Sequence, residues 1–145
     1  MREISSAETR LREANTVPGT LSASFEAFEI IRLLARGNED RVPELFAAFM
    51  MAADAAVDGR EAVTIAPSLP SAADCQLPGR PPAGVSVGEI ADAMASLGAL
   101  LGDRLSHAAT IAATPRDRTA CEEAAEAAGR ICELMARGDG DTRLR

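Results

Sequence analysis

Residues 86–138 read SVGEIADAMASLGALLGDRLSHAATIAATPRDRTACEEAAEAAGRICELMARG, and this stretch decides the fold. Ser86-Val87-Gly88-Glu89 is a capping-box pattern, in which a hydroxyl accepts from the third helical N–H and a glutamate reaches back to the cap. Behind it Val87, Ile90, Met94, Leu97, Leu101, Leu105 and Ala108 recur at steps of three and four. That spacing lines up side chains on one face of a helix, and it predicts one from Val87 to about Ala113. Thr114-Pro115-Arg116-Asp117 then supplies a cap, a proline where a missing N–H costs nothing, and an acid facing the positive helix end. A last helix therefore starts almost without a loop, and the pair must fold back as an antiparallel hairpin. Cys121, Ala124, Ala125, Ala128, Ile131, Cys132 and Met135 line its apolar face, with Gly138 as the expected stop. Arg118 with Glu122, Glu126 with Arg130 and Glu133 with Arg137 mark the opposite, solvated face.

Upstream, the same periodicity builds a second hairpin. Phe25, Phe28, Ile31, Leu34 and Ala35 predict a helix from about Ser22 to Arg36, closed by Gly37 in a left-handed turn. Asn38 or Asp40 then caps a helix with Pro43 in its first turn, where Val42, Leu45, Phe46, Phe49, Met50, Ala53, Ala56 and Val57 form the stripe and Gly59 the stop. At the front, Ser5-Ser6-Ala7-Glu8 reads as a cap for a short helix from Ser6 to Asn15, which Pro18-Gly19 interrupts. From Gly59 to Val85 the composition changes to five prolines and three glycines in 27 residues, which marks a crossover between the hairpins. Within it, Val63-Thr64-Ile65 suits a short extended piece and Ser68 to Asp74 a single helical turn.

The expectation is an all-α domain of 145 residues: two antiparallel helical hairpins forming a four-helix bundle, with a short N-terminal helix and a long Pro-rich crossover. Its parts are an N-terminal segment 1–20, a first hairpin 21–58, the crossover 59–85, a second hairpin 86–138 and a tail 139–145.

Composition narrows the chemistry. All 15 basic residues are Arg, 22 residues are acidic, and the net charge is −7. Nucleic-acid affinity comes largely from clustered cations displacing counterions, so an acidic chain is not expected to bind nucleic acid. Without lysine there is neither a Schiff-base nor a P-loop lysine. The longest apolar stretches, residues 45–53 and 93–101, fall short of the about 20 residues a membrane span needs. The start, Met1-Arg2-Glu3-Ile4-Ser5-Ser6, lacks a signal peptide's apolar core, so no membrane association and a cytoplasmic location are expected. Cys75, Cys121 and Cys132 are odd in number and unpaired in spacing, which points to reduced thiols.

The candidate reactive groups are few. His107 is the only histidine, and on the helical wheel it lies well away from the Leu97, Leu101 and Leu105 stripe, with Asp103 four residues before it. Its mid-helix place before a tight hairpin resembles the phosphoacceptor helix of histidine phosphotransfer and kinase dimerisation domains. That resemblance implies a phosphoacceptor role for His107, although Ala108 and Ala109 follow it where those families carry an acid or a lysine. One histidine and three scattered cysteines form no metal site, and no catalytic residue or cofactor is expected. Phe25, Phe28, Phe46, Phe49, Met50 and Met51 make up the one rich apolar cluster. It forms either core or a groove for a partner helix or a small apolar ligand, since Met and Phe make adaptable walls.

Alanine supplies 30 residues, so the helical stripes are narrow and bury little area per turn. Self-association would add burial, and a homodimer formed through one long helix or hairpin is expected. The reading that follows is a non-enzymatic, self-associating protein–protein interaction or regulatory module. A small-ligand-binding bundle and a phosphoacceptor at His107 are the alternatives.

Overall fold

A computed structural model describes residues 1–70 and 84–143, with side chains to residue 136. Every regular element among the described residues is helical: α1 (Arg2–Glu13), α2 (Val17–Asn38), a 3-10 turn (Pro43–Leu45), α3 (Phe46–Ile65), α4 (Val87–Ile111) and α5 (Pro115–Arg143). α4 packs on α5, α5 on α3, and α2 on both α3 and α4, while α1 rests on α2 and α4. The expected hairpins run antiparallel, because close contacts on the two helices move in opposite directions along the chain. Gly98 of α4 lies against Ala128 and Cys132 of α5, whereas Gly102, a turn later, lies against Ala125 and Ala128. On the other side Phe28 meets Gly59, and Arg36, two turns on, reaches back to Asp54 at 3.6 Å.

Helix starts follow capping chemistry. The Ser86 hydroxyl accepts from Glu89 N–H at 3.1 Å, and Thr114 accepts from Asp117 N–H at 3.1 Å, both as the spacing predicts. Thr16 caps α2 in the same way, accepting from Gly19 N–H at 3.1 Å with Pro18 in the first turn. Pro18-Gly19 is therefore the beginning of α2 and not an interruption. α1 also starts earlier than expected. Burying Ile4 beside Ala7 and Leu11 extends it to Arg2, with Ser5 and Ser6 inside the helix and no side-chain cap. Neither Asn38 nor Asp40 caps α3, which is entered instead through the 3-10 turn that Pro43 begins.

Helix ends depart most from expectation. Gly37, Gly59 and Gly138 were expected as stops, and all three lie inside helices. Among the described residues Gly84 alone has a positive φ, at +85°. α2 runs on to Asn38, whose amide donates to the Leu34 carbonyl at 2.7 Å. α3 passes through Gly59 to Ile65, so Val63-Thr64-Ile65 is its last turn and not an extended piece. The first hairpin thus spans 17–65 where 21–58 was expected, and residues 139–143 of the expected tail belong to α5.

The core is aliphatic and small. Leu11, Leu21, Ile31, Ile90, Met94, Leu97, Leu101, Leu105, Ile131 and Met135 are its largest members besides Phe28 and Phe49. A Cβ on Gly98 would stand 3.1 Å from the Ala128 oxygen and the Cys132 nitrogen, which measures how closely α4 and α5 approach. Of the crossover beyond α3, residues 66–70 and 84–85 are described; Cys75 and residues 71–74 of the expected Ser68–Asp74 turn lie outside the described residues. Asp117, fully buried, accepts from Ser68 N–H at 3.1 Å and from Ser68 Oγ at 2.5 Å. This pair ties the departing chain to the first turn of α5. Burial alone would raise the Asp117 pKa, but hydrogen bonds from Ser68 and Thr114 outweigh it and hold the carboxyl below its ordinary value.

Candidate interaction face

The six Phe and Met residues of the first hairpin divide into two groups. Phe28 and Phe49 are fully buried, and Phe25 is half-buried against the core. Phe46, Met50 and Met51 are 40, 37 and 51% exposed. The division follows from the helix: at 100° per residue, positions 46, 50 and 51 fall within about 140°, and position 49 points away from their centre. α3 is apolar nearly all round its first two turns, so one side fills the core while the other reaches water.

Further along the same face come Asp54, Asp58 and Glu61, all exposed, with Val57 half-buried between them. The preceding turn adds Glu39, Asp40 and Glu44. From Glu39 to Glu61 the chain holds six acids against two arginines. One of those arginines, Arg60, is turned inward to Glu29 of α2. Arg36 approaches Asp54 at 3.6 Å and Glu39 at 3.5 Å, and Arg130 of α5 reaches Asp58 at 3.3 Å. Arg130 thus bridges two helices, where its spacing suggested Glu126 as partner. Among the described residues, negative charge remains in excess around the Phe46–Met50–Met51 patch.

Glu29 is buried, and Arg32 donates to it at 3.2 and 3.1 Å alongside Arg60. Burial would raise its pKa, yet the two guanidiniums prevail and lower it. This cluster joins α2 to α3. The Glu29–Arg32 spacing of three was visible in the sequence, whereas Arg60 offered no signal because the contact crosses 31 positions. The Ser68–Asp117 tie, 49 positions apart, was equally hidden.

The sequence-predicted reactive groups lie apart from this face. His107 is exposed on α4, and its carbonyl accepts from the Thr110 hydroxyl at 2.6 Å. Cys121 and Cys132 are free thiols. Burial, and then the charges of Asp117 and Glu122, push the Cys121 thiol up to about 11, which leaves it protonated and unreactive near neutral pH. No three of the His, Cys, Asp and Glu side chains described could hold a metal ion together, and no helix described is long and apolar enough to cross a membrane. An open groove of about 310 Å³ lies at the far end of α3, lined by Ile65, Pro115, Arg116, Thr119, Ala120 and Glu123.

Comparison with protein-family models, curated proteins and solved structures found no match to this chain. The functional reading rests on its own residues.

Proposed function

We propose that this chain is a non-enzymatic protein–protein interaction module, a four-helix bundle of two antiparallel hairpins, which associates with partner helices and with itself through the outer face of α3. The observation that carries the reading is the exposure of Phe46, Met50 and Met51 side by side. Leaving about half of each large apolar side chain in water forgoes about 1 kcal/mol of burial apiece, and a contiguous set of them marks a docking surface more often than a lone one does. The helix contacts support the bundle, because α2, α3, α5 and α4 each pack on the next and close a ring. Unpaired thiols suit a reducing, cytoplasmic setting.

The interior of the first hairpin speaks against an enclosed apolar ligand there, since the Phe28 ring fills the space beside Gly59. A small ligand has room instead in the groove at Ile65 and Pro115. Light scattering across micromolar to submillimolar concentrations tests the main reading. The expected mass climbs above that of one chain with concentration, and Met50→Glu with Met51→Glu returns it to a single chain without loss of helix content. A single-chain mass throughout refutes self-association.

A further inference from the structure

Resting on that reading, we infer that the partner which fits the outer face of α3 best is a cationic amphipathic helix from another protein, and that a second copy of this chain is the weaker occupant. Apolar and charged positions on α3 are arranged in series along one face. Phe46, Met50 and Met51 occupy its first two turns, and Asp54, Asp58 and Glu61 its next two or three. From Phe46 to Glu61 the face is about 22 Å long, the length of a helix of about 15 residues. Glu39, Asp40 and Glu44 flank the other end, so the apolar patch is bracketed by carboxylates on both sides.

Charge decides between occupants. Two copies laid face to face bring the same carboxylates together, and like charges brought together oppose association. A helix with Leu or Phe on one face and Lys or Arg beside it meets the apolar patch and the acids at once, as in the helix-in-groove mode of peptide recognition. Among the described residues the arginines at this face leave acids over: Arg36 is shared between Asp54 and Glu39, Arg130 serves Asp58, Arg41 donates to the Asn38 side chain at 3.0 Å, and Glu61 and Glu44 are exposed. The same charge disfavours nucleic acid and anionic membrane as occupants. Salt must then act with opposite signs. It weakens the cationic helix by screening attraction, and it promotes self-association by screening repulsion.

The test uses the full chain and two labelled synthetic helices of 18 residues, both with Leu at helical spacing, one with Lys and the other with Glu at the remaining positions. Fluorescence anisotropy is expected to show the Lys helix binding at least tenfold more tightly than the Glu helix, with affinity falling as salt rises. Met50→Ser with Met51→Ser should weaken the Lys helix at least tenfold. Asp54→Asn with Glu61→Gln should weaken it severalfold and flatten the salt dependence. Glu122→Gln with Glu126→Gln, which removes the same charge from exposed positions on α5, should change affinity less than twofold, and thermal melts confirm that each variant is folded. Equal binding of the two helices, equal loss in the α5 control, or undiminished binding by the α3 variants overturns the inference. A chain that self-associates yet ignores the Lys helix refutes this inference and leaves the interaction module standing. A chain that binds the Lys helix but stays a single chain refutes only self-association.

Discussion

Gly59→Ala tests the packing argument at its tightest point. Gly59 lies inside α3, where alanine would ordinarily stabilise the helix by about 1 kcal/mol. A Cβ built there, however, stands 2.4 Å from Cε1 and Cζ of Phe28 and 2.8 Å from Cδ1. Carbon contacts are most favourable at about 3.5–4.0 Å, so the ring must move by about 1 Å or more. Phe28 has no exposed surface, and the move must displace other core atoms. Overpacking of this kind costs about 1–3 kcal/mol, and so severe an overlap belongs at the upper end. Subtracting the helix gain leaves a net loss of about 2 kcal/mol. For a chain of this size that lowers Tm by about 6 °C. Gly129→Ala is the control, because nothing lies within 4 Å of its Cβ; it should raise Tm by about 3 °C through helix propensity alone. Calorimetry of both variants, with Phe28→Leu and the Gly59→Ala/Phe28→Leu pair completing a double-mutant cycle, measures the coupling. A Gly59→Ala protein that melts at or above wild type, or one whose loss is unchanged by Phe28→Leu, refutes the assignment of Gly59 as the seat of the Phe28 ring.

Gly98→Ala, with 3.1 Å contacts to backbone, should be destabilising, whereas Gly102→Ala, with nothing nearer than 3.8 Å, should be neutral or stabilising by up to about 1 kcal/mol in urea unfolding. Asp117→Ala should cost about 1–3 kcal/mol and expose the amide of Ser68 to hydrogen exchange. Because the Asp117 pKa is lowered in the fold, its contribution is fully present above the ordinary aspartate value of about 3.9 and is lost as pH falls through the lower folded value. The variant's stability should therefore fall less steeply than wild type in that acid range, and parallel acid limbs would refute the role. Cys121, with its thiol pushed up to about 11, should resist iodoacetamide at pH about 8 in the folded chain and react once unfolded. Mass spectrometry of the alkylated peptide reads this out, and rapid native modification would contradict the burial.

Periodicity made the helices and their pairing legible, and it did so best where caps and stripes agreed. Ser86 and Thr114 sit where the sequence places them because each hydroxyl has one nearby N–H to satisfy and no rival geometry. The glycines misled for a physical reason. A glycine after a stripe signals a left-handed stop only when the chain turns there, and the same residue inside a helix signals that another side chain needs the space. Gly59 looks identical in both cases. What separates them is Phe28, which is 31 positions away and becomes a neighbour only after the hairpin has closed. The Ser68–Asp117 tie and the Arg60–Glu29 contact were invisible on the same ground, being polar pairs set by tertiary approach and not by spacing.

The candidate face was half legible, and its missing half explains its chemistry. The sequence marks Phe25, Phe28, Phe46, Phe49, Met50 and Met51 as one cluster, because helical spacing cannot say how much of an all-round apolar helix its neighbours will cover. Here the small residues decide. α3 buries Ala52, Ala53, Ala55, Ala56, Gly59 and Ala62, and such short side chains let its neighbours approach closely on the inner side only. Phe46, Met50 and Met51 lie outside that arc and, among the described residues, stay 40, 37 and 51% exposed. A helix that served only to fill the core would need nothing apolar at those three outer positions, where alanine or a polar residue would suffice, as at Asp54 and Asp58 on the same face. On the proposed reading, half-exposed Phe46, Met50 and Met51 followed immediately by carboxylates suit a cationic amphipathic partner, which would cover the apolar half and pair with the acids.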